Sequence, residues 1–263
     1  MTGSSPEALP EALRGALAEL ARAPRLLVAL DFDGTLAPEV DDPEQARALP
    51  EARDAVLRLR DAPGTRVALV SGRALDSLIR VSQPPRDVLL VGSHGVELRL
   101  DDADPHPGLD AAELARVATL HAVLERVAER FENVWVEAKP AGFALHTRLA
   151  SVDDARAAQQ TASREVGREL EGLTVRRGKN VLEFAVRSAT KGEAIERLRH
   201  YTAADAVLYA GDDVTDEDAF AALHPGDLAL KSGPGDTIAP FRVPGPAEVA
   251  HALATLATLR PPT

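Results

Sequence analysis

The amino-acid sequence predicts an α/β protein: a parallel sheet covered on both faces, interrupted once by an inserted α+β module. Two observations predict the sheet. Short apolar runs of strand length recur along the chain, and each is continuous rather than alternating and stops at a polar or glycine-containing cluster. A third observation predicts the insertion, because this rhythm is replaced by a different order of elements between residues 99 and 187.

Four runs carry the pattern. Leu26–Leu30 leads into Asp31-Phe32-Asp33-Gly34-Thr35, Val67–Val70 into Ser71-Gly72-Arg73, Val88–Val91 into Gly92-Ser93-His94-Gly95, and Ala206–Ala210 into Gly211-Asp212-Asp213. Continuous apolar strands are the signature of a parallel sheet buried on both faces. Ligands of such sheets lie beyond the carboxyl ends of the strands, so the four clusters should converge on one site. Helices are expected between them. Pro50–Arg60 places Ala52, Val56, Leu57 and Leu59 inward, and Thr190-Lys191-Gly192-Glu193 reads as a capping box opening a helix with Ala194, Ile195 and Leu198 inward. The box holds Lys191 in a first helical turn, where the helix dipole already favours an anion.

In the middle of the chain, Asp101–Gly108 reads as an acidic, proline-bearing linker, followed by a helical stretch through Leu114, Val117, Leu120, Leu124 and Val127. Strands are expected at Val134–Glu137 and Phe143–Arg148, a helix from Val152 to Leu170, and strands at Thr174–Val175 and Val181–Phe184. The order αββαββ implies a separate module. The expected domains are therefore a core of residues 1–98 and 188–263 and an insertion of residues 99–187, sitting above the site.

Composition limits the function. The 263 residues are 45% hydrophobic, enough for a real core, and at ~150 residues per domain they allow two modest domains. A formal net charge of -11 excludes a nucleic acid or an anionic membrane as the expected partner and favours a monomer. An anionic substrate would need local positive charge. With no cysteine there is no disulfide, thiolate metal site or thiol nucleophile, so the chemistry must use oxygen and nitrogen groups. The stretch Met1–Ala23 carries Glu7, Glu11, Arg14, Glu19 and Arg22 without an apolar block, and no later run approaches the ~20 apolar residues of a membrane span. The expected location is the cytoplasm.

Asp31 and Asp33 are the first candidates for chemistry. In extended chain, side chains at i and i+2 point the same way, so both carboxylates could face one phosphorus atom. One would attack it, and the other would protonate the departing alkoxide and then activate water. Asp-x-Asp-Gly also begins calcium loops, but those continue with alternating acids to a closing glutamate, whereas Leu36, Ala37 and Pro38 follow here. The acidic run from Asp212 to Asp218 could be a solvated helix start. Because it also ends a buried strand, where stacked carboxylates are costly without a hard cation, a metal bound by Asp31, Asp212 and a backbone carbonyl is the better reading. Ser71 and Lys191 add a hydroxyl and an ammonium for phosphoryl oxygens.

Taken in order, Asp31-Phe32-Asp33-Gly34-Thr35, Ser71, Lys191 and Gly211-Asp212-Asp213 resemble the four-motif pattern of the haloacid dehalogenase superfamily over most of the chain. That resemblance implies a Rossmann-like core with a parallel sheet, an aspartyl nucleophile and Mg2+, and the insertion is similar to the type-2 cap of the superfamily's sugar phosphatases. The likeness narrows to the trehalose-6-phosphate phosphatase family through Leu30–Pro38, Val70–Arg73, Gly92–Gly95, Gly211–Phe220 and, in the insertion, Lys139–Arg148. It implies Asp31, Asp33 and Lys191 as catalytic residues and a metal held among Asp31, Asp33, Asp212 and Asp213. Thr35, Ser71, Gly72, Arg73 and His94 would bind substrate in the core, and Lys139, His146, Arg148 and Glu183 in the cap. The implied substrate is a phosphorylated disaccharide. Two positions depart from the family: Ala185-Val186 follow Phe184 where Arg-Pro is frequent, and Ser93 stands where Asn is common. Related phosphatases of sucrose phosphate or glucosyl-3-phosphoglycerate are the alternative, ahead of a phosphomutase. A non-catalytic sugar-phosphate sensor would have no reason to keep the costly charges Asp31, Asp33, Lys191 and Asp212 together.

Overall fold

The structure, a computed structural model, describes residues 9–101, 106–107, 109–178, 180–187 and 189–260. In chain order, the first segment carries α1 (Glu11–Leu20), β1 (Leu26–Leu30), α2 (Pro50–Asp61), β2 (Thr65–Val70), α3 (Leu75–Ser82), β3 (Leu89–Gly92), β4 (Glu97–Arg99) and β5 (His106–Pro107). The middle carries α4 (Ala111–Ala128), β6 (Trp135–Lys139), β7 (Gly142–His146), α5 (Val152–Glu169), β8 (Thr174–Gly178) and β9 (Val181–Ala185). The last segment adds α6 (Lys191–Thr202), β10 (Ala206–Gly211), α7 (Asp216–Ala221), β11 (Leu228–Ser232), β12 (Phe241–Val243) and α8 (Pro246–Leu259). The chain divides into two compact units, one of Met1–His106 with Ala189–Thr263, the other of Pro107–Ser188. The expected linker Asp101–Gly108 falls largely on residues outside the described ones.

The larger sheet runs β12-β11-β10-β1-β2-β3-β4-β5. From β12 to β3 every pairing is parallel, and β4 returns antiparallel to β3. The central strand shows why its sequence is apolar throughout. Leu26, Val28 and Leu30 enter a cluster with residues of α1, α2 and α8, while Leu27 and Ala29 enter another with Ala194, Ile195 and Leu198 of α6 and Phe220 of α7. A strand covered on both sides has no polar face to show. Each large side chain it buries stabilises the fold by roughly 1.5–3 kcal/mol.

The second unit has the expected αββαββ order and a four-stranded antiparallel sheet, β6-β7-β9-β8. Phe143, Leu145, Leu182 and Phe184 alternate onto one face and pack with Leu120, Val123 and Leu124 of α4 and Ala158, Ala162 and Val166 of α5. Among the described residues, this cluster places no helix on the opposite face. β7 ends at His146, so Arg148, expected in the strand, lies just past it.

Candidate active site

β1, β2, β10 and β11 are neighbours in the parallel part of the sheet, so the residues that follow or end them share one edge. Asp31 is buried directly after β1, and its backbone N–H donates to the Ala210 carbonyl at 2.9 Å. The chain then turns sharply, because the Phe32 carbonyl accepts from both Leu36 and Ala37. Gly34 takes φ 69°, and a Cβ there would lie 2.0 Å from Asp212 Oδ2. Glycine is therefore needed twice, for its backbone angle and for the carboxylate that fills its side. Thr35 is buried and donates to Asp212 Oδ1 at 3.3 Å.

The capping box expected at α6 is present, with Thr190 and Glu193 each bonded to the other's backbone N–H. It fixes Lys191 at the helix start. Lys191 Nζ lies 3.0 Å from Asp31 Oδ1 and donates to Asp216 Oδ1 at 2.7 Å. Burial would lower the lysine's pKa, but Asp31 and Asp216 outweigh it, so the ammonium is held above its ordinary value. Asp216 is fully buried and saturated. Lys191 and Tyr209 donate to its Oδ1, and the backbone N–H groups of Asp212 and Asp213 donate to its Oδ2.

Asp31, Asp212 and Asp216 present carboxylate oxygens that lie within 4.8 Å of one another. Burial raises Asp31 well above the usual carboxylate range; Asp216 and Asp212 add to this and Lys191 opposes it. Burial raises Asp212 as well. A buried and a half-buried carboxylate, both of raised proton affinity and set face to face beside a glycine that leaves them room, fit a hard divalent cation. Asp216, its lone pairs already engaged, holds the frame around them.

Of the residues expected to bind metal, the structure brings Asp31 and Asp212 together. Asp33 and Asp213 stand elsewhere. The turn after Phe32 breaks the extended i, i+2 geometry, and both Asp33 oxygens are taken by Arg73, at 2.6 and 2.7 Å. Asp213 is exposed and meets Asp216 through its backbone, its N–H donating to Asp216 Oδ2 and its carbonyl accepting from the Asp216 N–H. Ser71 is buried and accepts from the Arg73 N–H. A Cβ on Gly72 would lie 2.6 Å from the His94 ring, so glycine lets that imidazole pack against the loop. Ser93 and His94 adopt φ 49° and 58°, a region Asn tolerates well, which accounts for an Asn being at home in Ser93's position. A cavity of about 660 Å³ opens here, lined by Asp33, Glu39, Val40, Asp41, Pro43, Gly72 and Arg73.

The four residues expected in the insertion lie on the second unit. In register, Glu137, Ala144, Glu183 and Arg176 form one row across its sheet, flanked by rows containing Trp135 with His146 and Lys139 with Gly142. Residues in register share a face, so Lys139, His146 and Glu183 stand together beside Gly142, which has no side chain, and the small Ala144. Trp135 and His146 stack at 5.0 Å, and the Arg148 guanidinium lies 5.3 Å above the Trp135 ring. Glu137 was not singled out from sequence, yet it lies 2.6 Å from both Lys139 Nζ and His146 Nε2. These contacts, Lys139's first, lower its pKa. The signal was the spacing Trp135-x-Glu137-x-Lys139. Asp216, Tyr209 and Lys231 were missed too, although Leu228–Leu230 running into Lys231-Ser232-Gly233 repeats the strand-then-polar pattern.

A carboxylate directly after the central strand of a parallel sheet, met by a lysine from a helix start, is the arrangement of haloacid dehalogenase-type proteins, and the fold and inserted unit agree with that class. Within the class, the profile of the trehalose-phosphatase family matches residues 29–254, and the chain belongs to this family. A bifunctional trehalose-6-phosphate synthase/phosphatase of Thermoproteus tenax is 35% identical over 233 residues, covering 86% of this chain and 31% of that protein. A trehalose-phosphate phosphatase of Mycobacterium marinum is 35% identical over 250 residues, covering 89% of this chain and 62% of the relative. The chain thus spans less than two thirds of these curated relatives. The solved structure of Aspergillus fumigatus trehalose-6-phosphate phosphatase matches with TM-score 0.73 and 25% identity, covering 97% of this chain and 99% of that one.

Proposed function

We propose that this chain is a Mg2+-dependent phosphatase that hydrolyses trehalose 6-phosphate to trehalose and phosphate through an aspartyl-phosphate on Asp31. The observation that carries the reading is Lys191, pinned between Asp31 and Asp216 while Asp212 faces Asp31 across Gly34. Lys191 keeps one Asp31 oxygen fixed and offers positive charge to the phosphoryl oxygens. Held by Asp31 and Asp212, Mg2+ would supply the charge that keeps both carboxylates ionised and draws electron density from the phosphoryl group. The free Asp31 oxygen attacks phosphorus, and the bond from phosphorus to the sugar oxygen breaks.

Asp33 gives a proton to that oxygen, then takes one from the water that cleaves the acyl phosphate and releases inorganic phosphate. In the substrate-free protein Arg73 holds both Asp33 oxygens. An incoming phosphate competes for the guanidinium fork and frees the Asp33 carboxyl group to reach the sugar oxygen, and the proton it donates there is recovered from the attacking water. The sugar is read by the face that carries Glu137, Lys139, His146, Arg148 and Glu183, whose donors and acceptors match hydroxyls. Release of phosphate from trehalose 6-phosphate, sucrose 6-phosphate, glucosyl-3-phosphoglycerate and glucose 6-phosphate, measured with Mg2+ present, tests the reading. Trehalose 6-phosphate should have the highest kcat/KM. A higher value for another sugar phosphate would replace the substrate, and no release from any would leave a sensor.

A further inference from the structure

Only four of the chain's 30 basic residues are lysines, so each marks a position where the prevalent arginine has not been used. Two of the four, Lys191 and Lys231, are buried at 2% and 3% exposure, and both reach the acidic turn after β10. The proposed reaction uses Lys191 and gives Lys231 nothing to do. Lys231 nevertheless donates to the Asp212 backbone carbonyl. Its ammonium also lies 3.9 Å from Glu217 Oε1, a buried oxygen with no hydrogen-bond partner, while Glu217 Oε2 accepts from Ile238 at 2.9 Å. The next residue, Ser232, donates to the Gly34 carbonyl at 2.7 Å.

We infer that Lys231 is a positioning residue for the divalent-cation site: tethered by Glu217, it pins the Asp212 carbonyl and so aims the Asp212 carboxylate at Asp31. The inference rests on the proposed function above. The N–H groups of Asp212 and Asp213 are already bound by Asp216, so with its carbonyl held by Lys231 the peptide is fixed on both sides of the Asp212 side chain. Thr35 and the open side of Gly34 then leave the carboxylate little freedom. A compact ammonium suits this place, because a guanidinium brings five N–H donors in a rigid fork and would bury several without acceptors.

Charge alone predicts the opposite behaviour. An ammonium near a cation site repels the cation, so removing it should tighten metal binding if Lys231 acts only through its charge. If it acts by positioning, binding should weaken. The experiment is Mn2+ binding to the substrate-free protein, followed by the electron paramagnetic resonance of unbound Mn2+, for the wild type, Lys231→Met and Lys231→Arg, with a thermal melt of each. The wild type should bind, and both variants should fold and bind about tenfold more weakly, as for other residues that orient metal ligands. Binding by either folded variant that equals or exceeds wild type overturns the inference. Should only Lys231→Arg fold, it decides alone on the same criterion, since it keeps the charge and changes the geometry. If neither folds, Lys231 is a folding residue and the inference is wrong. A wild type that binds no Mn2+ removes the cation site itself, which is a separate and recognisable failure.

Discussion

Asp216→Asn is the sharpest test of the buried network, because the substitution keeps the shape and changes only what two atoms accept. Asp216 is fully buried, with Lys191 at 2.7 Å and Tyr209 at 2.6 Å on one oxygen and the backbone N–H groups of Asp212 and Asp213 at 2.9 and 2.8 Å on the other. An amide offers one acceptor oxygen, so whichever way it turns, two donors meet an NH2 group. Hydrogen bonds to a charged group contribute about 1.5–3 kcal/mol each, and Lys191 keeps Asp31 as a second partner, so the loss should be about 3–5 kcal/mol. At about 2–4 °C per kcal/mol for a chain near this size, the thermal midpoint should fall by roughly 6–20 °C. Melting followed by circular dichroism, without Mg2+, reads this directly. Phosphate release should fall with it, since Lys191 and the Asp212 turn lose their common anchor. A destabilisation under about 1 kcal/mol would show that the four contacts are not what holds the site, since even one lost charged hydrogen bond exceeds that.

Other outcomes follow from single residues. Asp31→Asn removes the attacking charge at constant size, so turnover in a phosphate-release assay should fall by several powers of ten; wild-type-like turnover would exclude the covalent route. Asp33→Asn should damage hydrolysis of a sugar phosphate far more than that of p-nitrophenyl phosphate, whose leaving group needs no proton, and equal losses would make Asp33 structural. Glu183→Ala should cost on the order of 2–4 kcal/mol in kcat/KM for trehalose 6-phosphate and almost nothing for a small phosphoester, whereas parallel losses would mean that Glu183 supports the fold. Because burial raises Asp31 and Asp212, their contribution to metal-free stability is complete below the ordinary carboxylate range and is lost as pH rises through their raised folded values. Melts across that window with EDTA or Mg2+ should therefore show a metal-induced increment that grows with pH, and a flat increment would separate these carboxylates from the metal.

How much of this was legible in the sequence depended on whether the signal was local. The continuous run Leu26–Leu30 and the Thr190–Glu193 box state their structure within five residues, and both are found as expected. The insertion's element order was readable for the same reason. What could not be read was pairing across distance. Asp33 and Arg73 are forty positions apart, and only the turn closed by Phe32 sends the carboxylate to the guanidinium. Asp216-Glu217-Asp218 looks like one solvated helix start, yet Asp216 is fully buried and Asp218 exposed, a difference set by where α7 packs and not by residue type. Asp213 had the better motif position and Asp216 the better place in space. Lys231 hid in a buried strand after the apolar Leu228–Leu230, where a lysine followed by Ser232 reads as a boundary.

The charges gathered at the strand ends also bear on how many cations the site can take. Asp31, Asp33, Asp212, Asp216 and Glu217 bring five carboxylates, and Lys191, Lys231 and Arg73 bring three cations, all tied into one set of contacts. Ionised, the cluster carries two surplus negative charges, which one divalent cation balances and a second would overshoot. The surplus sits on Asp31 and Asp212, since Arg73 answers Asp33, Lys231 answers Glu217, and Lys191 is shared between Asp216 and Asp31. Those are also the two carboxylates whose proton affinity burial raises, so the charge count and the titration behaviour point to the same pair of residues. In a chain of net charge -11, a phosphate dianion is not drawn in by the protein as a whole. It can enter once the cation has cancelled the surplus and Arg73 and Lys191 remain as donors, so metal should bind first and the sugar phosphate second.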